Sequence, residues 1–297
     1  MKVLVIGATG YVGSHIVQRM TRAGHDVLGT VRNPAGSARV AALGARPIMA
    51  DLAEAEMLDD ALAEADAVLY AAQLLLEPEH AALAMLIGKL AGSGKALIFT
   101  SGTGVVSQKT DGAWSEDSFA EDDTFVPAKW IARRVETENL VRAASRREIR
   151  AMVVRPPMIW GNGGCGLIRA FYDSASSTGE VCYLGSGLNL YSNVHVEDLA
   201  EVYALALTRG VPGALYHCVA GEVAHRTLAE RVAQQLGCGV RSVSFDEAVE
   251  IWGKFLALII MSSCSRTRSP RARRELGWAP NHLDMLSDVA HPAYRAG

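Results

Sequence analysis

The chain begins with the stretch MKVLVIGATGYVG, residues 1–13, which decides its fold. Residues 2–6 form an apolar run typical of a buried strand, and an amphipathic helical pattern follows over 12–23. Between them lies a turn with three glycines at positions 7, 10 and 13. Glycines let backbone N–H groups approach phosphates, and a helix N-terminus attracts anions. This order of strand, glycine turn and helix therefore predicts a dinucleotide pyrophosphate site.

Short apolar runs alternate with helical patterns through the first half of the chain. We predict strands at 2–6, 26–31, 46–49, 66–71, 96–100 and 150–154, and helices at 12–23, 35–43, 54–64, 79–92 and 128–146. The alternation predicts an α/β fold, a doubly wound parallel sheet of the Rossmann type. In such a sheet the ligand binds beyond the carboxyl ends of the strands.

The pattern changes after Arg155. A glycine-rich loop at 161–166 is followed by short strands mixed with helices at 196–208, 225–236 and 244–258. We therefore predict a dinucleotide-binding domain over 1–155 and, over 156–297, a smaller mixed substrate lobe. Some segments of this C-terminal part are expected to return to the Rossmann core.

The composition of the chain limits the classes of partner that it can bind. The 297 residues are 49% hydrophobic and carry a net charge of −3, which gives no electrostatic case for nucleic acid or an anionic membrane. The longest apolar run, 255–261, is shorter than the ~20 residues of a membrane span. Five cysteines without a CxxC pair predict reduced thiols in the cytoplasm, and we expect no signal peptide and no metal site. A small-molecule substrate is expected, and a homodimer is an open alternative.

Five segments stand in a characteristic order along the chain. They are GATGYVG at 7–13, LIFTSG at 97–102, VVRPPMIWG at 153–161, VHVEDLA at 194–200 and RELGWAP at 274–280. Together they resemble the extended short-chain dehydrogenase/reductase superfamily, specifically its NAD-dependent epimerase/dehydratase group. The resemblance covers residues 1 to 280 and implies a nicotinamide cofactor.

The resemblance also implies which residues hold that cofactor. The pyrophosphate would be surrounded by Gly7, Thr9, Gly10, Tyr11, Val12 and Gly13. The rest of the implied site consists of Asp51 and Leu52 near the adenine, Ala71 and Ala72 along the path to the nicotinamide, and Thr100 and Pro156.

Arg32 follows the second predicted strand, where the choice between NAD and NADP is made. An acidic residue here would bind the ribose 2′-hydroxyl, whereas an arginine supplies a cation for a 2′-phosphate. We therefore predict NADP(H) as the preferred cofactor, with NAD(H) possible. The alternative is that Arg32 is a solvated loop residue.

One motif of the resembled group is missing. Its reaction uses Tyr-x-x-x-Lys, in which the tyrosine exchanges a proton and the lysine holds the ribose. Here Trp130 and Arg134 stand at those positions, and the alternative register 125–129 keeps Lys129 but also lacks a tyrosine. An indole only donates a hydrogen bond, and an arginine stays protonated. Trp130 either stacks on a ligand or packs, while Arg134 could hold hydroxyls or an oxyanion.

Other groups must then carry the proton. Ser101 occupies the family's catalytic serine position, either as a donor or as a hydrogen-bond anchor, and Tyr191, His195 and solvent are further candidates. His195 is more often a helix cap at such a position. We assign Ser101, Arg134 and Trp130 to the catalytic site, and Trp160, Tyr191 and His195 to the substrate site.

These residues predict an NADP(H)-dependent oxidoreductase with an atypical proton donor. Its substrate would be the carbonyl or alcohol of a small, fairly apolar molecule, because the residues after the glycine loop are apolar, a nucleotide diphosphate would need several cations there, and the nearest cation in sequence is Arg169. Two alternatives stay open. One is a non-redox cyclase, isomerase or dehydratase that retains the cofactor site, and the other is a non-catalytic NADP(H)-sensing regulator.

Overall fold

The structure, a computed structural model, describes residues 1–52 and 54–295. Its strands, in chain order, are β1 Lys2–Ile6, β2 Asp26–Val31, β3 Arg46–Met49, β4 Ala67–Tyr70, β5 Ala96–Thr100, β6 Gln108–Lys109, β7 Arg150–Arg155, β8 Met158–Trp160, β9 Val181–Leu184, β10 Leu190–His195, β11 Leu215–His217, β12 Gly221–Ala224, β13 Val240–Val243 and β14 Ser263–Cys264. Its α-helices are α1 Tyr11–Arg22, α2 Pro34–Ala42, α3 Asp59–Glu64, α4 Leu76–Leu90, α5 Ala132–Ala143, α6 Gly166–Thr178, α7 Val196–Arg209, α8 His225–Leu236 and α9 Phe245–Leu256.

Seven strands form one parallel sheet in the order β11-β7-β5-β4-β1-β2-β3. The six strands predicted in the first half all belong to it and agree with the observed bounds to within one residue. Two buried clusters of apolar side chains, one on each face, cover the sheet. The predicted α/β class with a doubly wound parallel sheet is therefore confirmed.

Three predicted helices have different bounds. The helix predicted at 54–64 is an α-helix only from Asp59, after a 3-10 turn over Ala55–Leu58. The helix predicted at 79–92 begins at Leu76, because Pro78 lies in its first turn, where a proline is tolerated. The helix predicted at 128–146 begins only at Ala132, and residues 128–131 form a turn before it. Since this turn carries Trp130, that residue is not on the helix as a one-turn spacing to Arg134 would require.

Three small sheets complete the fold, in the orders β12-β10-β8, β13-β9 and β14-β6. Helix α6 was not predicted from the sequence, and its inner face is buried around Phe171. Helix α9 bends at Gly253, whose φ of 78° is not helical. Segments beyond residue 156 also enter the main domain, since β11 forms the edge of the large sheet and α7 packs on α1.

No helix in the described part of the chain is long and apolar enough to cross a membrane. The five cysteines all lie in this part and form no disulfide.

Candidate active site

The glycine turn is held by backbone contacts that exclude side chains. Gly7 has a φ of 88°, and a Cβ on it would lie 2.6 Å from the backbone nitrogen of Ala72. A Cβ on Gly13 would lie 2.0 Å from the carbonyl oxygen of Gly7. The N–H of Gly10 donates to that same oxygen at 3.0 Å. These two glycines are therefore required by the packing of the turn against α1 and the end of β4.

The N-terminus of α1 fits an anion. Its first residue after the turn is Tyr11, no side chain caps it among the described residues, and its first turn carries no acidic residue. The N–H groups that begin a helix have no partner inside the helix, and the helix dipole favours negative charge there. Together with the glycine turn, which brings the backbone close, this end of α1 fits the pyrophosphate of a dinucleotide.

Arg32 lies one residue beyond β2, exposed, with no ion pair or hydrogen bond among the described residues. Thr30 on the same strand accepts the N–H of Gly7 at 3.1 Å, which ties β2 to the turn. A Cβ on Gly36, in the first turn of α2, would lie 3.2 Å from the side chain of Thr9. Arg32 is thus an unpaired cation beside the glycine turn and the start of α2.

The remaining predicted cofactor residues also lie at the carboxyl ends of the strands. Asp51 and Leu52 follow β3, Ala71 and Ala72 follow β4, and Pro156 follows β7. The hydroxyl of Thr100, the last residue of β5, shares a hydrogen bond of 2.6 Å with Tyr203. The sheet therefore brings all of these positions to the edge where α1 begins.

Ser101 belongs to a buried polar network. Its Oγ donates to Oε1 of Glu138 at 2.5 Å, and Nε of Arg155 donates to the same oxygen at 3.0 Å. A second nitrogen of Arg155 pairs with the other carboxylate oxygen. Since a hydroxyl has one proton, Ser101 in this arrangement can only accept a further hydrogen bond. The geometry favours an anchor over a proton donor.

His217 closes the network. Nη1 of Arg155 donates to Nε2 of His217 at 3.1 Å, and Nδ1 donates to the carbonyl of Arg268 at 3.0 Å. Burial, with a further contribution from Arg155, lowers the pKa of His217 to about 3. The imidazole is therefore neutral and links the ends of β7 and β11.

Trp130 and Arg134 have different surroundings. The indole of Trp130 is 41% exposed on the turn before α5. The guanidinium of Arg134 pairs with the buried carboxylate of Glu79, with Nη2 lying 3.0 Å from Oε1 and 3.1 Å from Oε2. Only the contact with Oε2 has hydrogen-bond geometry. Arg134 is thus fixed by its ion pair with Glu79, whereas the exposed indole of Trp130 is accessible to a ligand.

The three predicted substrate residues are largely buried. Tyr191 is 6% exposed and stacks on His225 at 6.3 Å between ring centroids. His195 caps α7, since its Nδ1 accepts the N–H of Glu197 at 3.2 Å. Nε1 of Trp160 donates to Asn193 at 3.0 Å. The structure therefore does not support a substrate contact for Tyr191, and it shows His195 as the N-cap of α7.

A cavity of about 520 Å³ lies beside His195 and Trp160, lined in addition by residues 282–291 of the C-terminal segment. His195 and His282 stack there, with ring centroids 3.9 Å apart, and with Glu197 they offer ligand atoms within 4.8 Å of one another. A ligating imidazole ordinarily donates through its second nitrogen, but Nδ1 of His195 already accepts a hydrogen bond. These residues do not fit a preformed metal centre.

The C-terminal segment clamps the glycine-rich loop 161–166. Asp288 accepts the N–H groups of Gly161 and Gly163 at 3.1 and 3.2 Å and the hydroxyl of Tyr294 at 2.6 Å. The loop in turn contacts the cofactor turn, since the hydroxyl of Tyr11 donates to the carbonyl of Gly161 at 2.6 Å. Burial raises the pKa of Tyr11, which keeps this phenol protonated and donating.

The sequence analysis did not assign roles to Glu79, Glu138 and Asp288. Glu138 had a detectable signal, because it lies on the face of α5 that carries Thr137 and Val141, both buried. A carboxylate on a buried face requires a cationic or hydrogen-bonding partner. Glu79 and Asp288 have partners 55 and more than 100 residues away, which sequence spacing does not reveal.

Acid should destabilise the fold through two buried histidines. Burial lowers the pKa of His225 to about 4, and that of His217 is about 3. In the unfolded chain both titrate near 6.5, so below this pH the unfolded state binds more protons and stability falls. We expect the thermal midpoint to drop between about pH 6.5 and pH 4, and less steeply in His225→Gln. If the thermal midpoints of the wild type and His225→Gln fall equally steeply with pH, His225 does not contribute to the acid sensitivity.

Comparisons with known proteins agree with this architecture. The sequence model described as the NAD dependent epimerase/dehydratase family matches residues 3–218. An uncharacterised protein of Schizosaccharomyces pombe is 31% identical over 304 residues, covering 99% of this chain and 100% of the relative. A 4-hydroxy-2-methyl-3-oxo-4-farnesyl-3,4-dihydroquinoline-1-oxide ketoreductase of Stigmatella aurantiaca is 28% identical over 234 residues, covering 74% of this chain and 69% of its own.

Among solved structures, DesIV, a dTDP-glucose 4,6-dehydratase of Streptomyces venezuelae with NAD and TYD bound, superposes with a TM-score of 0.80. At 22% identity, with 100% of this chain and 98% of DesIV covered, this likeness shows the fold alone. The family model covers most of the chain, and the resemblance predicted from the five sequence segments is confirmed. The chain belongs to the NAD dependent epimerase/dehydratase family.

Proposed function

We propose that the protein is an NADP(H)-dependent oxidoreductase that acts on the carbonyl or alcohol group of a small, fairly apolar molecule. The observation that carries this proposal is the cradle formed by the glycine turn, the uncapped start of α1 and the unpaired Arg32. Membership of a family of NAD-dependent epimerases and dehydratases, with a ketoreductase among the relatives, supports the general class of reaction.

The chain's own residues would hold the cofactor in an extended arrangement. The N–H groups at the start of α1 would bind the pyrophosphate, and Arg32 would bind the 2′-phosphate on the ribose of the adenosine half. Ala71 and Ala72 would line the path to the nicotinamide, near Ser101. The nicotinamide, when bound, supplies or accepts a hydride. Ser101, whose proton is donated to Glu138, would accept a hydrogen bond only from a ligand with a donor, such as the alcohol form of the substrate, and orient it.

Arg32→Ala tests the cofactor preference. Removing the cation should weaken NADPH binding by about 10- to 100-fold, consistent with a charge-assisted contact of ~1.5–3 kcal/mol, and should leave NADH binding almost unchanged. The dissociation constants can be measured by nucleotide fluorescence. Arg39→Ala is the matched control, because Arg39 is an exposed arginine on the neighbouring α2. Equal losses for the two nucleotides would overturn the preference for NADP.

The cations of the C-terminal lobe support an apolar substrate. Within the described residues after 155, every arginine makes a hydrogen bond or ion pair, and Lys254 has neither. Arg169, which follows the glycine-rich loop, donates to the carbonyls of Ala293 and Tyr294. A substrate diphosphate would need several free cations. The exposed apolar side chains of Phe255 and Leu256 directly follow Lys254 in sequence.

Among the described residues, none of the candidate side chains is placed to carry the proton, and His195 caps α7. Ser101 donates to Glu138, Tyr191 is buried, and Arg134 stays protonated. Water is then the proton donor for a redox reaction. The same observation favours a second candidate, a non-redox isomerisation, cyclisation or dehydration that retains the cofactor site.

A turnover experiment separates the two candidates. The protein with NADPH is given a panel of apolar ketones and aldehydes, and nicotinamide absorbance is followed together with product mass. Oxidation of NADPH in stoichiometric amounts with an alcohol product supports the oxidoreductase. A product of unchanged oxidation state, formed without a change in absorbance, would replace it with the non-redox candidate.

A further inference from the structure

A group of polar side chains lies buried between β4, α4 and α5. Glu79, 1% exposed, is in the first turn of α4, and Arg134 is in the first turn of α5. Tyr70, fully buried, is the last residue of β4. We call these three residues the Glu79 cluster.

The Glu79 cluster adjoins the predicted path of the nicotinamide. Tyr70 immediately precedes Ala71 and Ala72, and the backbone of these two alanines packs against Gly7. The first turns of α4 and α5 start at the same carboxyl edge of the sheet as the glycine turn. A side chain held in this cluster is therefore beside the cofactor cradle.

The cluster is incompletely satisfied. Oη of Tyr70, Oε1 of Glu79 and Nε of Arg134 are buried without a hydrogen-bond partner among the described residues. A buried polar atom without a partner destabilises a fold, and three in one place require an explanation. Because the Arg134 side chain keeps 18% of its surface exposed while that of Glu79 keeps 1%, the arginine is the member that a ligand can reach.

We propose that Glu79 is a positioning residue: its carboxylate fixes Arg134 so that the remaining N–H groups of the guanidinium hold the ribose next to the nicotinamide. The inference rests on the proposed function. It explains why a charged pair is buried at this edge, since a flexible arginine must otherwise be ordered by the ligand itself. Ordering one long side chain in advance strengthens binding by about 2- to 13-fold.

The ionisation of Glu79 should make this positioning depend on pH. Burial raises its pKa to about 7, although the facing Arg134 lowers it, and Glu138 of α5 raises it further. Tyr70 faces the carboxyl from β4 and is protonated, since burial raises the pKa of its phenol. Above pH 7 the carboxylate is charged and holds Arg134. As the pH falls below 7 the carboxyl becomes neutral and its hold on Arg134 weakens.

Glu79→Gln tests the proposal, and Glu77→Gln is its matched control. Glu77 is in the same turn of α4 and pairs with Arg133 of α5 at 2.9 Å, but its side chain is 72% exposed. At about pH 8 we expect Glu79→Gln to bind NADPH about 5-fold more weakly than Glu77→Gln. At about pH 6 the carboxyl of Glu79 is neutral in Glu77→Gln, so the NADPH affinity of this variant should fall towards that of Glu79→Gln. Arg134→Lys, which keeps the charge, should recover part of the affinity lost in Arg134→Ala.

A second readout needs no cofactor. In the free protein, phenylglyoxal should modify Arg134 faster in Glu79→Gln than in Glu77→Gln, as followed by peptide mass spectrometry. Equal modification rates, or equal NADPH affinities and pH profiles, would overturn the positioning role. Failure of the wild-type protein to bind any nicotinamide dinucleotide would overturn the proposed function, and the modification rates would still decide whether Glu79 fixes Arg134.

Discussion

Replacing Gly13 with alanine is expected to abolish dinucleotide binding and to destabilise the fold by about 3 kcal/mol or more. The added Cβ would lie 2.0 Å from the carbonyl oxygen of Gly7 and 2.8 Å from its carbonyl carbon. Neither atom belongs to a flexible side chain, so α1 and the glycine turn must move apart. Because the turn and the start of α1 form the proposed pyrophosphate site, binding and stability should fall together.

Gly88→Ala is the matched control for this substitution. Gly88 also lies inside a helix, α4, but a Cβ there meets nothing within 4 Å. Alanine is the better helix former, so this variant should be as stable as the wild type or up to ~1 kcal/mol more stable. Thermal unfolding and nucleotide fluorescence measure both variants. If Gly13→Ala binds NADPH with wild-type affinity, the glycine turn is not the pyrophosphate site.

Arg155→Met is expected to destabilise the protein by about 3–5 kcal/mol, the second large effect. The substitution leaves Glu138, 1% exposed, without its cation, and it also removes the donor to His217. An uncompensated buried carboxylate is far less stable than the pair. The double variant Glu138→Leu/Arg155→Met removes both charges and should lose less stability than the single substitution.

The control for Arg155→Met is Arg150→Met on the same strand. Arg150 is half-buried and makes one hydrogen bond to the carbonyl of Leu207, so its loss should destabilise by about 1 kcal/mol. Urea unfolding of all three variants gives the comparison. A single Arg155→Met variant within about 1 kcal/mol of the wild type would show that the buried pair is not a large stabilising element.

The six predicted strands of the main sheet were predictable because each is a short, mostly apolar run, and all of them except the partly exposed edge strand β3 are largely buried. Such a run depends only on local sequence, and strands β1 to β5 and β7 lie where the runs are. The glycine turn was predictable for a similar reason, since close backbone approach at Gly7 and Gly13 tolerates no other residue. The motifs after the glycine turn were assigned to the site only through the resemblance to a family, in which they occur in the same order.

The polar partners of the site were not predictable in the same way. Ser101 and Arg134 were identified by position, but their carboxylates, Glu138 and Glu79, lie 37 and 55 residues away. The buried face of α5 indicates that Glu138 is buried, but no spacing indicates which side chain it meets, and nothing in the sequence indicates the burial of Glu79. The burial of Tyr191 likewise depends on α8, which brings His225 against its ring.

The clamp of Asp288 on the glycine-rich loop has a consequence for how the protein is made. The proposed cofactor site begins at Gly7, but the loop that receives the Tyr11 hydroxyl is held by Asp288 and Tyr294. During synthesis the six strands of the main sheet up to Arg155 emerge long before these residues leave the ribosome. The nascent chain therefore carries an incomplete site after most of the sheet has been made, and the cofactor meets a completed one only when both Asp288 and Tyr294 have been added.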